Sequence, residues 1–165
     1  MSTAVTVNTY THTVTYVTTK MLLSLKEIIR LIGLDPSKIT DDWASLETAV
    51  STWLDSKHLR QVSLEVYNKQ TDKLVTRWDL DVVYGYAGDG SLWTDTDALR
   101  YAIAKAGVAP SGCSYRFVLL TWPNEPKVVG WSSTTYRSTE GFNRYGVGAI
   151  IGGNGLATET SYWRK

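Results

Sequence analysis

Two carboxylates separated by one residue, Asp79 and Asp81 in the string RWDLDVV, form the spacing in this sequence that comes nearest to a catalytic pattern. On a strand, side chains two apart leave by the same face, so this pair could present a Mg²⁺ ion for nucleotidyl or phosphoryl transfer. Trp78, Leu80 and Val82 take the opposite face, and the plainer reading prevails: the carboxylates are the solvated side of a half-buried strand. Gly146 and Gly148, followed by Gly152 and Gly153, imitate a phosphate loop only on the surface, because no helical stripe follows them. His12 has no neighbouring nucleophile to serve as a base for, and His58 and the lone Cys113 do not complete a zinc set with it. No catalytic residue, metal or cofactor is therefore expected, and the runner-up is a metal-dependent enzyme acting on nucleotides through Asp79 and Asp81.

The rest of the composition is that of an ordinary globular chain. It has 165 residues, of which 43% are hydrophobic and 20% charged, enough for one domain with a core. Seventeen basic against sixteen acidic residues leave a net charge of +1 with no basic block, so no nucleic-acid footprint is visible. No apolar run approaches the roughly 20 residues that cross a bilayer, and the start lacks a signal-like apolar core. A cytoplasmic protein is expected. Seven tryptophans and ten tyrosines are many for this length, and aromatics also anchor peptide grooves and interfaces.

The elements that must position these residues follow from periodicity. Val14, Val17, Met21, Leu25, Ile28 and Ile32 step by three or four, which predicts a helix ending at Gly33, with Lys20, Ser24, Glu27 and Arg30 on its outer side. Its start falls between Thr9 and Thr13, where alternating β-branched residues make a strand over 3–16 the competitor. Thr40 is the expected N-cap of a second helix over 41–55, whose inner side carries Trp43, Leu46, Ala49, Val50 and Trp53. The alternation of Val62, Leu64 and Val66 with Ser63, Glu65 and Tyr67, then a second alternating run from Leu74 to Tyr84, predicts an antiparallel hairpin. Thr94 with Asp97 opens a third helix in a weak capping box, and Gly107 with Pro110 ends it. Tyr115 to Trp122 is dense enough in apolar residues for a buried strand, closed by Pro123. From Pro123 to Lys165 the chain is rich in glycine, serine and threonine and carries no helical stripe. Its many aromatics still require it to pack, by more than one route where glycine permits.

Several strings resemble the bacterial HORMA-domain family of CBASS anti-phage operons: THTVTYVTTKMLLSLKEIIRLIGLDP, LEVYNKQTDKLVTRWDLDVVYG, DGSLWTDTDALRYAIAKAG, GWSSTTYRSTEG and the terminal YWRK. The resemblance covers nearly the whole chain. It implies a single α+β domain over 1–165, three helices on an antiparallel sheet, with a core at about 9–122 and a C-terminal "safety belt" at about 123–165 that wraps a closure-motif peptide. Its implied partners are that peptide, a cGAS/DncV-like nucleotidyltransferase that the closed form activates, and an AAA+ remodelling ATPase that pulls on the N-terminus. In that frame Tyr115, Phe117, Val118, Leu119, Leu120 and Thr121 are expected to present an edge to the peptide, because Pro123 ends their strand where the belt must begin. Trp131, Tyr136, Tyr162 and Trp163 are the aromatics expected to cover it. Ser2, Thr3, Ala4, Val5 and Thr6, small and β-branched ahead of the first stripe, are the expected handle for the ATPase.

Overall fold

A computed structural model describes residues 9–165 of the chain. The expected handle, Ser2, Thr3, Ala4, Val5 and Thr6, lies outside the described residues. Thr9 caps helix α1 (Tyr10–Leu31), its hydroxyl accepting the His12 amide at 3.1 Å. The apolar stripe decides against a strand over 10–16, since Val14, Val17, Met21, Leu25 and Ile28 are all buried. Ser24 is buried with them instead of facing out. Gly33, at φ +89°, closes the helix, with its amide on Arg30 and that of Leu34 on Ile29, the paired bonds of a Schellman turn.

The second helix begins a turn early and is broken into α2 (Ser37–Asp41) and α3 (Trp43–Asp55) at Asp42. Thr40 is not a cap: it sits inside α2 with its hydroxyl donating to the Pro36 carbonyl at 3.0 Å. Pro36 presets the first turn, and the Asp35 carboxylate accepts the Ser37 amide at 2.9 Å. The hairpin forms as expected from β1 (Leu59–Asn68) and β2 (Leu74–Tyr84), antiparallel with Leu64 opposite Trp78 and Ser63 opposite Asp79. Thr94 belongs to a two-residue strand, β3 (Trp93–Thr94), and the cap of α4 (Thr96–Ala106) is Asp95, whose carboxylate accepts the Ala98 amide. Tyr115 to Thr121 fall in β4 (Cys113–Thr121).

The glycine-rich tail divides. Residues 123–142 form neither helix nor strand, whereas β5 (Asn143–Gly153) and β6 (Leu156–Arg164) make a hairpin in the main sheet. Two of its glycines answer to close approach: a Cβ on Gly153 would lie 2.7 Å from the Thr13 methyl, and Gly152 lies flat against the Trp93 indole. The six strands run in the order β3-β5-β6-β2-β1-β4, every neighbouring pair antiparallel. The helices cover one face, where Val62, Leu64, Val66, Trp78, Leu80, Leu156 and Tyr162 meet the stripes of α1, α3 and α4 in one core. The α+β architecture expected from the sequence is present, with α2 as an additional short helix.

Candidate functional site

Among the described residues β4 is an edge strand, paired only with β1. In an antiparallel pair, a residue's amide and carbonyl point to the same side, alternating along the strand. Lys38 Nζ donates to the Tyr115 carbonyl from α2, on the side away from β1, at 2.6 Å. The backbone groups of Phe117 and Leu119, two and four residues on, therefore also face outward, and no loop backbone among the described residues bonds to them. This is a row of main-chain donors and acceptors available to another strand.

The segment after β4 returns along this edge as a strap. Trp53 of α3 donates its indole N–H to the Pro126 carbonyl at 2.6 Å, and Trp131 meets Trp53 edge-on with ring centroids 6.2 Å apart. Trp131 in turn donates to the Ser45 carbonyl at 3.4 Å. Between strap, α3 and β4 lies a cleft of about 270 Å³, lined by Lys38, Leu46, Arg116, Phe117, Gly130 and Trp131 among others. Its lining mixes the apolar Leu46, Phe117 and Trp131 with the polar and charged Lys38, Asp42, Ser45 and Arg116.

Beyond Trp131 the strap crosses to the face of the sheet opposite the helices. Arg116 donates to Thr134 Oγ1 at 3.0 Å and to the Thr135 carbonyl at 2.6 Å. Tyr136 donates to Gln61 Oε1 at 2.7 Å, and its ring lies under the Arg77 guanidinium. Burial raises the Tyr136 pKa against the opposing pull of Ser63, so the phenol remains a donor. Arg137 packs 3.7 Å over the Tyr67 ring and binds Glu65 twice, by its backbone amide at 2.7 Å and by Nη1 at 2.9 Å. Burial alone would lower the Arg137 pKa, but its bonds to Asp72 and Glu65 outweigh that and hold it above the ordinary value.

Asp79 is not solvated as the alternation implied. The carboxylate is 2% exposed and accepts four hydrogen bonds, from Ser63, from Arg77 Nε and Nη2, and from the Trp163 indole. Its lone pairs are filled by protein donors, and its neighbour Asp81 takes the Gln61 amide at 2.6 Å. Among the described residues no three His, Cys, Asp or Glu side chains are grouped to hold a metal ion. His12 is exposed in the first turn of α1, the His58 ring meets Ser56, and burial pushes the Cys113 thiol pKa up, away from the reactive thiolate.

The expected peptide residues are only partly brought together. Phe117 and Trp131 line the cleft, and Leu119 shares the outward backbone of Phe117. Tyr115 instead turns its ring into the core and its hydroxyl to the Asp35 carbonyl at 2.6 Å. Val118 and Leu120 point to the strap-side face, opposite Ser63 and Gln61, and Thr121 ends the strand. Tyr136 lies on that same face. Tyr162 and Trp163 stand on β6, separated from β4 by β2 and β1: Tyr162 stacks between Trp78 and Tyr145, while Trp163 serves Asp79. Lys38, Leu46, Arg116, Glu65 and Arg137 shape the site and were not anticipated. Arg116 alone left a trace, as a charge within an otherwise apolar strand.

Helices on one face of an antiparallel sheet, a C-terminal hairpin beside β2 and a strap around the opposite edge define a HORMA fold. The chain belongs to the family described as bacterial HORMA domain 2, whose model matches residues 2–165. No curated protein matches it in sequence. Similar solved structures include Caenorhabditis elegans HTP-2 bound to a HIM-3 closure motif, at 13% identity, covering 96% of this chain and 92% of that one with a TM-score of 0.75. A chain of a mitotic checkpoint complex matches at 9% identity over 90% of this chain and 96% of its own, with a TM-score of 0.71. The E. coli MS115-1 CdnC:HORMA-deltaN complex matches at 11% identity over 99% and 93%, with a TM-score of 0.59. Likeness at these identities is one of fold.

Proposed function

We propose that this chain is a peptide-binding conformational switch in a CBASS-type anti-phage system, working in the cytoplasm. A closure-motif peptide pairs as an added strand with β4, on the platform of residues 9–122, while the belt of residues 123–165 closes around it. The closed form then binds and activates a cGAS/DncV-like nucleotidyltransferase, and an AAA+ ATPase reopens it by pulling on Ser2, Thr3, Ala4, Val5 and Thr6. The observation that carries this reading is the unpaired outer edge of β4 beside a cleft that the strap walls off. Main-chain bonds give affinity without demanding a sequence, and Phe117, Leu46 and Trp131 offer the pocket that supplies selectivity. Two of the similar structures, HTP-2 bound to a closure motif and the CdnC:HORMA-deltaN complex, support the same assignment. The chain itself is assigned no turnover, because among the described residues no nucleophile, base and orienter stand together.

The test is reconstitution with a cGAS/DncV-like nucleotidyltransferase, measuring nucleotide product with and without candidate closure peptides. Product formation that needs both chain and peptide is expected. A transferase indifferent to both would sink the assignment. Deleting Ser2 to Thr6 should preserve folding and peptide binding and abolish opening by the cognate ATPase.

A further inference from the structure

Glu65 is a carboxylate with 0% of its side chain exposed, in the middle of a sheet face that a strand's alternation would leave to water. Its partners come from two directions. Arg116 of β4 donates to it at 2.6 Å, and Arg137 of the strap donates through both backbone and side chain. Arg116 continues to the strap at Thr134 and Thr135, so one cation ties the edge strand, the buried acid and the strap together. The Arg137 side chain is only 16% exposed. Lifting the strap removes the two Arg137 bonds, leaves Arg116 as the protein partner of Glu65 and opens the dry cluster to water.

We propose that Glu65, with Arg137 and Arg116, is a latch that positions the strap over the β4 edge and sets how long a strand bound there stays, not which strand is chosen. This rests on the strand-addition reading above. The latch lies beyond the cleft along the chain: Trp131 touches the pocket, and Arg137 locks six residues later. The strap can therefore lift by breaking the contacts of Arg137 with Glu65, Asp72 and Tyr67 and of Tyr136 with Gln61, while β6 stays paired with β2 and β5 with β6. A ligand held under it leaves through that local opening, and the opening rate limits its escape.

The experiment uses the full chain in four forms: wild type, Glu65→Gln, Arg137→Met, and Asp72→Asn as a control for the surface arm, since the Asp72 side chain is 75% exposed. Hydrogen exchange by NMR reads the amides at positions 136 and 137 without any ligand. Glu65→Gln and Arg137→Met should speed their exchange roughly tenfold to a hundredfold, the factor given by losing a charge-assisted hydrogen bond. Asp72→Asn should change it little, and amides within β1 and β2 should keep wild-type protection in every form. Arg137→Met keeps the test alive if Glu65→Gln fails to fold. Dissociation is then followed with a fluorescent peptide selected against the wild-type chain from a random phage-displayed library. It should accelerate in step with strap exchange while association stays within a few fold.

Unchanged strap exchange in both variants overturns the latch. Faster exchange with unchanged dissociation overturns its control of residence. Failure to select any peptide on the wild-type chain overturns strand addition and the residence role with it, while exchange still decides whether Glu65 holds the strap.

Discussion

Replacing Trp131 by alanine probes the strap wall without touching the sheet. The indole meets Trp53 at 6.2 Å and 74°, an edge-on pair that adds about 0.5–1.5 kcal/mol beyond area burial. Its bond to the Ser45 carbonyl is long at 3.4 Å and adds under ~1 kcal/mol. The ligand-free fold should thus lose about 1–2 kcal/mol, read by urea unfolding. Ligand affinity has more to lose, since the ring forms one wall of the cleft and truncating an anchor of that kind removes about 1–3 kcal/mol, or about fivefold to 150-fold. Fluorescence polarisation with the selected peptide measures this, with circular dichroism checking each fold. Truncation after Pro126 is a poorer probe, because it also deletes Ile150, Ile151, Leu156 and Tyr162 from the core. Equal affinity in two well-folded proteins would mean that the strap does not cover the ligand, and the switch reading would fall.

Gly153→Ala should destabilise the fold by about 1–3 kcal/mol, seen in denaturant midpoints, because its methyl would press on Thr13 and Leu92 at 2.7 and 2.8 Å. Asp79→Asn should weaken the fold by about 1–3 kcal/mol by disturbing a saturated buried carboxylate, whereas Asp81→Asn, at a side chain 35% exposed, should stay within about 0.5 kcal/mol. Calorimetric Mg²⁺ titration of the wild-type chain, with and without nucleotide, should give no saturable heat; a heat that Asp79→Asn abolished would revive the enzyme reading. Tyr10, bonded to the Leu54 carbonyl, has its pKa raised by burial and by Asp55 from 10.0 to about 12, so the folded state holds a proton that the unfolded chain gives up first. Its contribution is complete below pH 10 and fades from there to pH 12, so melting temperature should drop across that window, and less steeply in Tyr10→Phe.

The sequence made the helices and the central hairpin readable because each buries one stripe or one alternate face against the core. Val62, Leu64 and Val66 announce themselves in that way, and so do Met21, Leu25 and Ile28. Caps shift by one or a few residues from the pattern where several candidates stand in a row, as at Thr94 and Asp95, or where Pro36 outranks a later threonine. The larger error was on the strap-side face. Alternation assigns Ser63, Glu65, Asp79 and Gln61 to solvent, and nothing local records that residues 131–137, more than fifty positions later, return to cover most of them. Trp131 and Phe117 could be nominated from aromatic character and strand position, whereas Tyr162 and Trp163 looked equivalent to Trp131 until the hairpin put them beside β2.

The open flank of β4 has a consequence for the molecule on its own. An unpaired, largely apolar strand edge is a template for pairing with another copy, and soluble proteins blunt such edges with lysine, bulges or cover. Here a lysine side chain from α2 occupies one carbonyl, a register shift near Arg60 bends the far end of the ladder, and the strap passes alongside through Pro126 and Trp131. What makes the edge selective for a threaded segment thus also guards against edge-to-edge self-association. Variants that loosen the cover should reveal themselves first as concentration-dependent oligomers and poor solubility, before any loss of melting temperature.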